Sequence, residues 1–507
     1  MSFNLATILR ESRKTVADKP LCYLDDLSFT YAQVDEISGR IATSLLGLGL
    51  KTGDKVAVQL PNIPQFLFTY FAILKAGLVM CPLNPLLKAP EVAFYLEDSD
   101  AKVLITFVTF AAEAVKAVSQ VGGVSTYVVE MPGGHDRPVG TNHFDELYFA
   151  EDSGAIEPTN PDDTAVLLYT SGTTGRPKGA ELTHFQLYMN CTVSGDLFGF
   201  SDDDIGLAVL PMFHVFGLST VLNTAVRFGG TVVLIPRFNA QTVLDAIEQH
   251  RCTVFTGVPT MYLELLRTDT THRDLSCLRR GVSGGDAIPG EIIKEFEEKF
   301  PNCVILEGYG LSETASTTSF NVNAQERKVR SIGKPIWGVE VRIVDPDDKP
   351  LPPGPGNIGE VTIRGHNVMK GYYKNPTATM DAFRGGWFHT GDLAYVDDDG
   401  FLFIVDRKKD LIIRGGFNVY PLEIEDVLYE HPAVAEAAVI GRPDERLGEE
   451  VVAVVALKEG ETVTEEELVA YCKERVAAYK YPREVRFLDE LPKGPTGKIL
   501  KKELRGD

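Results

Sequence analysis

The segment Tyr169–Gly179 combines the residue types that bind a polyphosphate. Four Ser and Thr hydroxyls, three glycines and Lys178 lie in this stretch, directly after the apolar run Ala165–Leu168. Glycines let the backbone turn its N–H groups towards a ligand, hydroxyls add donors, and a lysine adds a positive charge. It is not a Walker A loop, because Pro177 occupies the position of the second glycine. A plain surface turn would not require Lys178 behind a proline, so we predict phosphate binding.

Three further turns carry groups suited to a nucleotide and a metal ion. They are Ser283–Asp286, Glu307–Thr314 and Thr390–Asp392. Tyr309 offers a flat face for stacking, and the carboxylate of Glu313 is a hard oxygen ligand for Mg²⁺. The aspartate of the third turn can accept two hydrogen bonds from a ribose diol. Each turn alone is a weak signal, but their order along one chain is specific.

Apolar runs alternate with helical patterns along most of the chain, which predicts an α/β fold. The predicted strands are Lys55–Leu60, Leu78–Met80, Ala101–Phe107, Thr231–Ile235 and Val304–Leu306, and the predicted helices are Pro64–Ala76, Gln241–His250 and Glu291–Phe300. The most apolar window, Phe66–Leu83, contains Lys75, Gly77 and Pro82 and therefore predicts a buried helix and strand rather than a membrane span.

The character of the chain changes after about Ile404. The charge-dense connector Val405–Asp410 separates two apolar runs. Beyond it, we expect strands at Ala437–Ile440 and Val451–Leu457 and a helix at Thr464–Ala477. This is enough chain for a small independent α+β domain.

Composition limits the classes of partner. The net charge of −21 disfavours nonspecific binding to nucleic acid or to an anionic membrane. Seven scattered cysteines without a C-x-x-C pair predict buried free thiols in a reducing cytoplasm. Glu11, Arg13 and Lys14 interrupt the apolar residues at the start, so no secretory signal is expected and we predict a cytoplasmic protein.

Taken together, the motifs resemble those of the adenylate-forming superfamily, which contains acyl-CoA synthetases, adenylation domains and luciferases. The chain looks most similar to bacterial fatty-acyl-CoA ligases. The motifs are YTSGTTGRPKG (169–179), PMFHVFGL (211–218), EGYGLSET (307–314), WFHTGD (387–392), DRKKDLIIRGGFNVYPLEIE (406–425) and PTGKI (495–499). The resemblance implies an α/β fold with a large N-terminal domain of β-sheets and a distorted β-barrel (residues 1–406), a hinge (407–409) and a small mobile α+β lid (410–507).

The resemblance also implies a role for individual residues. Lys498 would be the catalytic lysine, His214 would lie next to the substrate carboxylate, and Lys409 would be the hinge. The ATP and AMP site would comprise Thr170, Ser171, Gly172, Thr173, Thr174, Lys178, Gly284, Gly285, Glu307, Gly308, Tyr309, Ser312, Thr314, Asp392 and Arg407. Mg²⁺ would bind at Thr170 and Glu313, CoA at Gly415 and Gly416, and the acyl chain near Phe213, Val215, Phe216 and Gly310.

We therefore expect an ATP-, Mg²⁺- and CoA-dependent ligase for a medium- or long-chain fatty acid that acts through an acyl-adenylate. An aryl ligase of the coumarate type is the main alternative. Arg279 and Arg280 raise the possibility of a dicarboxylate such as malonate, although paired charges at a strand end are usually solvated. Because few residues follow Lys498, we expect no fused carrier domain. A separate carrier protein could replace CoA but is not favoured. A luciferase would share every motif, and the sequence leaves the oligomeric state open.

Overall fold

The computed structural model describes residues 2–130, 137–170 and 176–505. The strands are β1 Pro20–Leu24, β2 Leu27–Thr30, β3 Lys55–Gln59, β4 Val79–Pro82, β5 Ala101–Phe107, β6 Ser125–Val129, β7 Asn142–His143, β8 Thr164–Thr170, β9 Lys178–Thr183, β10 Ile205–Ala208, β11 Thr231–Leu234, β12 Val254–Gly257, β13 Arg280–Ser283, β14 Val304–Tyr309, β15 Ser319–Phe320, β16 Lys334–Pro335, β17 Val339–Val344, β18 Gly359–Gly365, β19 Phe383–Arg384, β20 Trp387–Val396, β21 Leu402–Arg407, β22 Ile412–Arg414, β23 Phe417–Val419, β24 Val434–Asp444, β25 Gly448–Leu457 and β26 Glu484–Phe487.

Helices cover the faces of the sheets. They are α1 Thr7–Val16, α2 Tyr31–Gly47, α3 Pro64–Lys75, α4 Ala89–Ser99, α5 Ala111–Val121, α6 His184–Phe198, α7 Thr224–Phe228, α8 Ala240–His250, α9 Pro259–Arg267, α10 Gly290–Lys299, α11 Pro376–Ala382, α12 Pro421–Tyr429, α13 Glu465–Lys473 and α14 Lys501–Arg505, and a π-helix spans Phe216–Asn223. The described part of the chain contains no helix with both the length and the apolar character needed to cross a bilayer.

Three sheets occupy the N-terminal four-fifths of the chain. Nine strands follow the order β16-β15-β14-β13-β12-β10-β11-β1-β2, and seven follow β7-β6-β5-β3-β4-β8-β9. Both are parallel in their centres. The third sheet is antiparallel, in the order β17-β18-β20-β19, with β21 paired to β20. The carboxyl ends of β13 and β14 lead directly into two of the glycine turns that the sequence singled out.

A separate antiparallel sheet forms the C-terminal part. Its order is β23-β22-β25-β24, with β26 parallel to β25. Its main apolar core contains only residues from Ile412 to Val485. The α/β class with a larger N-terminal and a smaller C-terminal unit is thus confirmed, whereas the boundaries at 406 and 410 and the mobility of the lid stay predictions.

The predicted elements are present, although several begin or end at other residues than predicted. β14 runs on to Tyr309 because it gains antiparallel pairing with β15. β24 extends to Asp444 because it pairs with β25 along its whole length. α13 ends at Lys473, short of the predicted Ala477, and the Arg475 guanidinium donates to the carbonyl of Tyr471 at this end.

A buried ion cluster joins α1, α2 and α3 beneath the large core. The Lys75 ammonium lies 2.6 Å from the Asp35 carboxylate, and both side chains are 0 % exposed. Arg13 contacts the same carboxylate at 2.6 Å, and Arg10 at 3.3 Å. Burial opposes the charge on Asp35, but Lys75, Arg13 and Arg10 hold the pKa of its carboxyl below the usual value. Most other residues of α3 are apolar and buried, so the Asp35 carboxylate compensates the charge of Lys75 in these surroundings.

Removing Asp35 should therefore be costly. Asp35→Asn leaves a buried ammonium without its partner, and we expect a loss of about 3–5 kcal/mol in the free energy of unfolding, measured by denaturant titration. Glu36→Gln is the matched control, since Glu36 pairs with Arg40 on the exposed face of the same helix. Equal stability of the two variants would contradict the cluster's importance.

The same carboxylate should make stability depend on pH. Because the folded pKa of Asp35 is lowered, its contribution to the free energy of unfolding is full above the usual Asp pKa and is lost as the pH falls through the lowered, folded-state pKa.

Candidate active site

A hydroxyl and a carboxylate meet where the two large sheets adjoin. Thr170 ends β8, and its Oγ1 donates to Oε1 of Glu313 at 3.2 Å. The hydroxyl of Tyr372 donates to the same Oε1 at 2.9 Å. No ion pair engages Glu313 among the described residues. Mg²⁺ in nucleotide sites is held by one or two carboxylates together with phosphates and water, so this pair of oxygen ligands fits the ion.

The predicted phosphate segment is described only at its two ends. Ser171, Gly172, Thr173 and Thr174 lie outside the described residues. Lys178 opens β9, and its ammonium lies 5.3 Å from the centre of the Tyr372 ring. A cation over an aromatic face is attracted by the ring's quadrupole. Lys178 and Glu313 are therefore both neighbours of Tyr372.

The two residues predicted to hold the ribose face each other across a strand pair. Asp392 on β20 is in register with Arg407 on β21, and the Arg407 Nε lies 3.6 Å from the Asp392 Oδ1. The Tyr309 hydroxyl donates to the other carboxylate oxygen at 2.6 Å. Although burial opposes its charge, Asp392 and Asp286 hold the pKa of Arg407 above the usual value. The arrangement leaves a fixed, charged acceptor beside the ring of Tyr309.

Gly284 allows a close approach between the ends of β13 and β14. A side chain at Gly284 would meet the Phe216 ring at 3.1 Å and the carbonyl oxygen of Gly308 at 3.2 Å. Gly285 has a φ of +81°, which disfavours other residues. Gly284 thus lies beside Gly308, the residue that directly precedes Tyr309.

Two predicted nucleotide contacts point elsewhere. The Glu307 carboxylate accepts from the backbone N–H of Arg330 at 2.9 Å, and burial raises the pKa of this group to about 8. The Thr314 side chain is buried, and its hydroxyl accepts from the N–H of Leu311 at 2.9 Å, which closes the short 3₁₀ turn. Both side chains stabilise the loop, because each is engaged by backbone. Ser312 is half-buried in the same turn.

His214 precedes the π-helix Phe216–Asn223, and its ring is neutral. Burial, with a smaller effect of the Lys498 charge, lowers the pKa of His214 to about 4. Its Nδ1 accepts from the N–H of Phe216 at 3.3 Å. In a neutral imidazole the other nitrogen then carries the hydrogen, so Nε2 is a donor. His214 can therefore donate a hydrogen bond without adding positive charge.

The acyl pocket is only partly as the sequence implied. Phe213 and Phe216 are half-buried, and Phe216 reaches Gly284. Val215, in contrast, is 2 % exposed and belongs to the large core. Gly310 is packed directly against the backbone of Ser316, so no side chain would fit there. The π-helix changes the angular spacing of side chains, which ordinary α-helical periodicity does not predict, and such helices are frequent at functional sites.

Arg279 and Arg280 do not face this pocket. They lie at the opposite end of β13 from Ser283. Arg279 contacts the buried Asp204 carboxylate at 2.6 Å, and Arg280 contacts it at 3.5 Å. The two guanidinium groups therefore neutralise Asp204, and the expectation that they could bind a dicarboxylate is wrong for this arrangement.

Lys498 reaches the glycine turn from the C-terminal part of the chain. Its ammonium donates to the Gly285 carbonyl at 3.2 Å and lies 3.5 Å from Asp286 Oδ1. The neighbouring Gly497 has its carbonyl bound by the Thr260 hydroxyl at 2.9 Å, at the start of α9. Burial lowers the pKa of Lys498, and the Asp286 carboxylate opposes that effect. The side chain is still 31 % exposed, so a ligand can reach it.

The predicted hinge and CoA residues are exposed. Lys409 is exposed in the turn between β21 and β22. Gly415 and Gly416 form the exposed turn between β22 and β23, with φ values of +59° and +81°. In this conformation Lys498 is brought to the glycine turn, while the Gly415–Gly416 hairpin lies on the surface of the C-terminal part.

The state of His214 can be tested directly. We expect the ring of His214 to titrate near pH 4 and to stay neutral at pH 6, because burial disfavours its charged form. Ring nitrogen chemical shifts over a pH series measure this. Lys498→Ala should raise the pKa of His214, since the substitution removes a nearby positive charge. A midpoint above about 6, the usual histidine range, would contradict the burial argument.

Comparison with known proteins agrees with this geometry. Residues 9–373 match the family described as AMP-binding enzyme, and residues 423–498 match the AMP-binding enzyme C-terminal domain. A feruloyl-CoA synthase from Amycolatopsis sp is 40% identical over 94% of both chains. A long-chain-fatty-acid–CoA ligase from Bacillus subtilis (strain 168) is 36% identical over 99% of this chain and 94% of its own.

The fold is shared with solved structures of similar length. The anthranilate CoA ligase AuaEII, in complex with anthranoyl-AMP, superposes with a TM-score of 0.93 at 30% identity, covering 100% of this chain and 97% of its own. Adenylate-forming CoA ligases use ATP, Mg²⁺ and CoA to activate an acid through its adenylate. The chain therefore belongs to the AMP-binding, adenylate-forming enzymes and, within them, to the acid–CoA ligases.

Proposed function

We propose that this ligase activates a hydrophobic monocarboxylic acid and that Lys498 catalyses the first half-reaction. The observation that carries the proposal is the contact of the Lys498 ammonium with Gly285, beside the turn that adjoins Tyr309 and Phe216. In this half-reaction a carboxylate oxygen attacks the α-phosphorus of ATP, and pyrophosphate leaves. Because both reactants are anions, the main catalytic requirement is neutralisation of charge.

The surrounding residues would divide this task. Lys498 would contact both the acyl carboxylate and the α-phosphate, and neutral His214 would donate from Nε2 to the carboxylate. Asp392 and Arg407 would bind the ribose hydroxyls, and Tyr309 would stack on adenine. Mg²⁺, held by Glu313 and Thr170, would shield the negative charge of the phosphates.

Among monocarboxylic acids we put arylpropenoic acids of the ferulic type first. The half-buried rings of Phe213 and Phe216 suit an aromatic substrate. The relative with 40% identity, a feruloyl-CoA synthase, supports the same choice. A medium- or long-chain fatty acid is the second candidate, supported by the 36% identical fatty-acid ligase. Malonate ranks below both, because Arg279 and Arg280 are committed to Asp204.

The second half-reaction would use another position of the C-terminal part. In it, the CoA thiol attacks the acyl carbon of the adenylate, and AMP leaves. We propose that residues 410–507 turn about Lys409, which withdraws Lys498 and brings Gly415 and Gly416 to the site. The exposure of both the hinge turn and the glycine hairpin is compatible with such a rotation.

Seven free cysteines support the further proposal of a cytoplasmic location.

Substitution of Lys498 should separate the two half-reactions. We expect Lys498→Ala to slow acid-dependent ATP–pyrophosphate exchange by at least about 10²–10³-fold, because a charge that stabilises the transition state is lost. Conversion of preformed acyl-adenylate to thioester should stay near the parent rate.

Lys409→Pro is the reciprocal variant. Proline fixes φ and restricts the preceding residue, so it should hinder rotation about the hinge. No backbone hydrogen bond of the Lys409 N–H is lost in the described conformation. We expect exchange to persist and thioester formation to fall. If both variants lost both half-reactions equally, alternation about Lys409 would be refuted.

A panel of acids tests the substrate class. We expect kcat/KM for CoA-dependent AMP release to be highest with ferulic and coumaric acids, followed by fatty acids. Malonate should be about a hundredfold poorer, since burying a second carboxylate without a cation is costly. A clear preference for fatty acids would reverse the order of the two candidates. A preference for malonate would overturn the hydrophobic-acid proposal.

A further inference from the structure

Tyr372 contacts the proposed metal ligand, although it lies outside the sequence motifs. Its hydroxyl lies 2.9 Å from the Glu313 Oε1. A tyrosine hydroxyl keeps its proton at neutral pH, so it is the donor and the carboxylate is the acceptor. The same ring faces the Lys178 ammonium at 5.3 Å. The half-buried side chain of Tyr372 thus contacts both Glu313, the proposed metal ligand, and Lys178, the lysine predicted to bind phosphate.

The backbone around Tyr372 is fixed against β9 and against the Glu313 loop. The Lys370 N–H donates to the Glu181 carbonyl at 3.0 Å, and the Glu181 N–H donates to the Gly371 carbonyl at 2.9 Å. The Met369 N–H donates to the carbonyl of Glu313 itself at 2.7 Å. Residues 369–372 therefore hold both the main chain and the carboxylate of Glu313. The hydroxyl of Tyr372 has a well-defined position as a result.

The hydrogen bonds on Glu313 are unequal between its two oxygens. Thr170 and Tyr372 both donate to Oε1, at 3.2 Å and 2.9 Å. Among the described residues, Oε2 has no hydrogen-bond donor. A carboxylate with one oxygen bound on two sides cannot rotate freely, so its second oxygen keeps one direction. This is the arrangement that a metal-binding carboxylate needs, because outer-shell hydrogen bonds orient the ligand.

We propose that Tyr372 is a positioning residue that orients the Glu313 carboxylate so that Oε2 binds the Mg²⁺ accompanying ATP. This inference rests on the proposed function of Glu313 as the metal ligand. Tyr372 acts through Glu313 and does not contact the reacting atoms. Its loss should therefore change the dependence on Mg²⁺ rather than the rate at saturating Mg²⁺.

Two neighbouring tyrosines provide a matched comparison. Tyr372→Phe removes the hydroxyl and keeps the ring under Lys178. Tyr373→Phe is the control, because the Tyr373 hydroxyl donates at 2.9 Å to Asp100, an exposed residue outside the site. We expect Tyr372→Phe to raise the Mg²⁺ concentration for half-maximal ATP–pyrophosphate exchange by about tenfold. This is the lower end of the effect expected when a hydrogen bond to a metal ligand is removed. Tyr373→Phe should leave it unchanged.

A binding measurement makes the test independent of turnover. Mn²⁺ binding in the presence of a non-hydrolysable ATP analogue can be followed by electron paramagnetic resonance, and its Kd should rise about tenfold in Tyr372→Phe. In a Glu313→Gln background, Tyr372→Phe should have no further effect on this Kd, because the two changes act on one interaction. Independent, additive effects would overturn the positioning role.

The outcomes separate this inference from the proposed function. If the parent enzyme shows no exchange with any acid of the panel, the proposed function fails. If the parent is active but Tyr372→Phe matches Tyr373→Phe in Mg²⁺ dependence and in Mn²⁺ binding, only the role of Tyr372 fails. A lowered rate with unchanged metal affinity would also contradict it.

Discussion

The contact between the Lys498 ammonium and the Gly285 carbonyl is the interaction on which the active site depends. It joins residues 213 positions apart and brings a cation from the C-terminal part of the chain to the glycine turn of the N-terminal sheets. The constraint behind it is electrostatic, because a carboxylate must approach a polyphosphate. A cation delivered on a separate unit can meet this need in one half-reaction and be removed for the next.

The rest of the site is largely preorganised by the N-terminal sheets. Asp392 is fixed by strand register with Arg407 and by the hydroxyl of Tyr309. The Glu313 carboxylate accepts hydrogen bonds from two hydroxyl groups, and its backbone carbonyl accepts one from the Met369 N–H. Such groups need little rearrangement when charge develops, which is the basis of electrostatic preorganisation. Burial also keeps His214 neutral, so the site gains a hydrogen-bond donor without a further positive charge near Lys498.

Much of this could be predicted from the sequence, because strands and motifs are local patterns. The α/β class and the turns after β13 and β14 follow from apolar runs and glycines. Long-range pairings could not be predicted in this way. Arg279 meets Asp204 across 75 residues, and Tyr372 meets Glu313 across 59. No spacing rule indicates either contact.

The directions of individual side chains also have physical causes. The motif implies an acyl-pocket position for Val215, whose side chain packs in the large core. Glu307 and Thr314 belong to a nucleotide motif, yet backbone N–H groups engage both side chains. A motif identifies a segment, whereas the direction of each side chain depends on the packing around it.

The position of Lys498 with a bound intermediate tests the account most directly. A crystal structure with a non-hydrolysable acyl-adenylate analogue would give two distances from the Lys498 Nζ. One is to the acyl oxygen of the analogue, and the other is to the group that replaces its α-phosphate. We predict that both are about 3 Å, as for charge-assisted hydrogen bonds. If Gly497 remained bound to Thr260 while the Lys498 ammonium contacted neither group, the central claim would be contradicted.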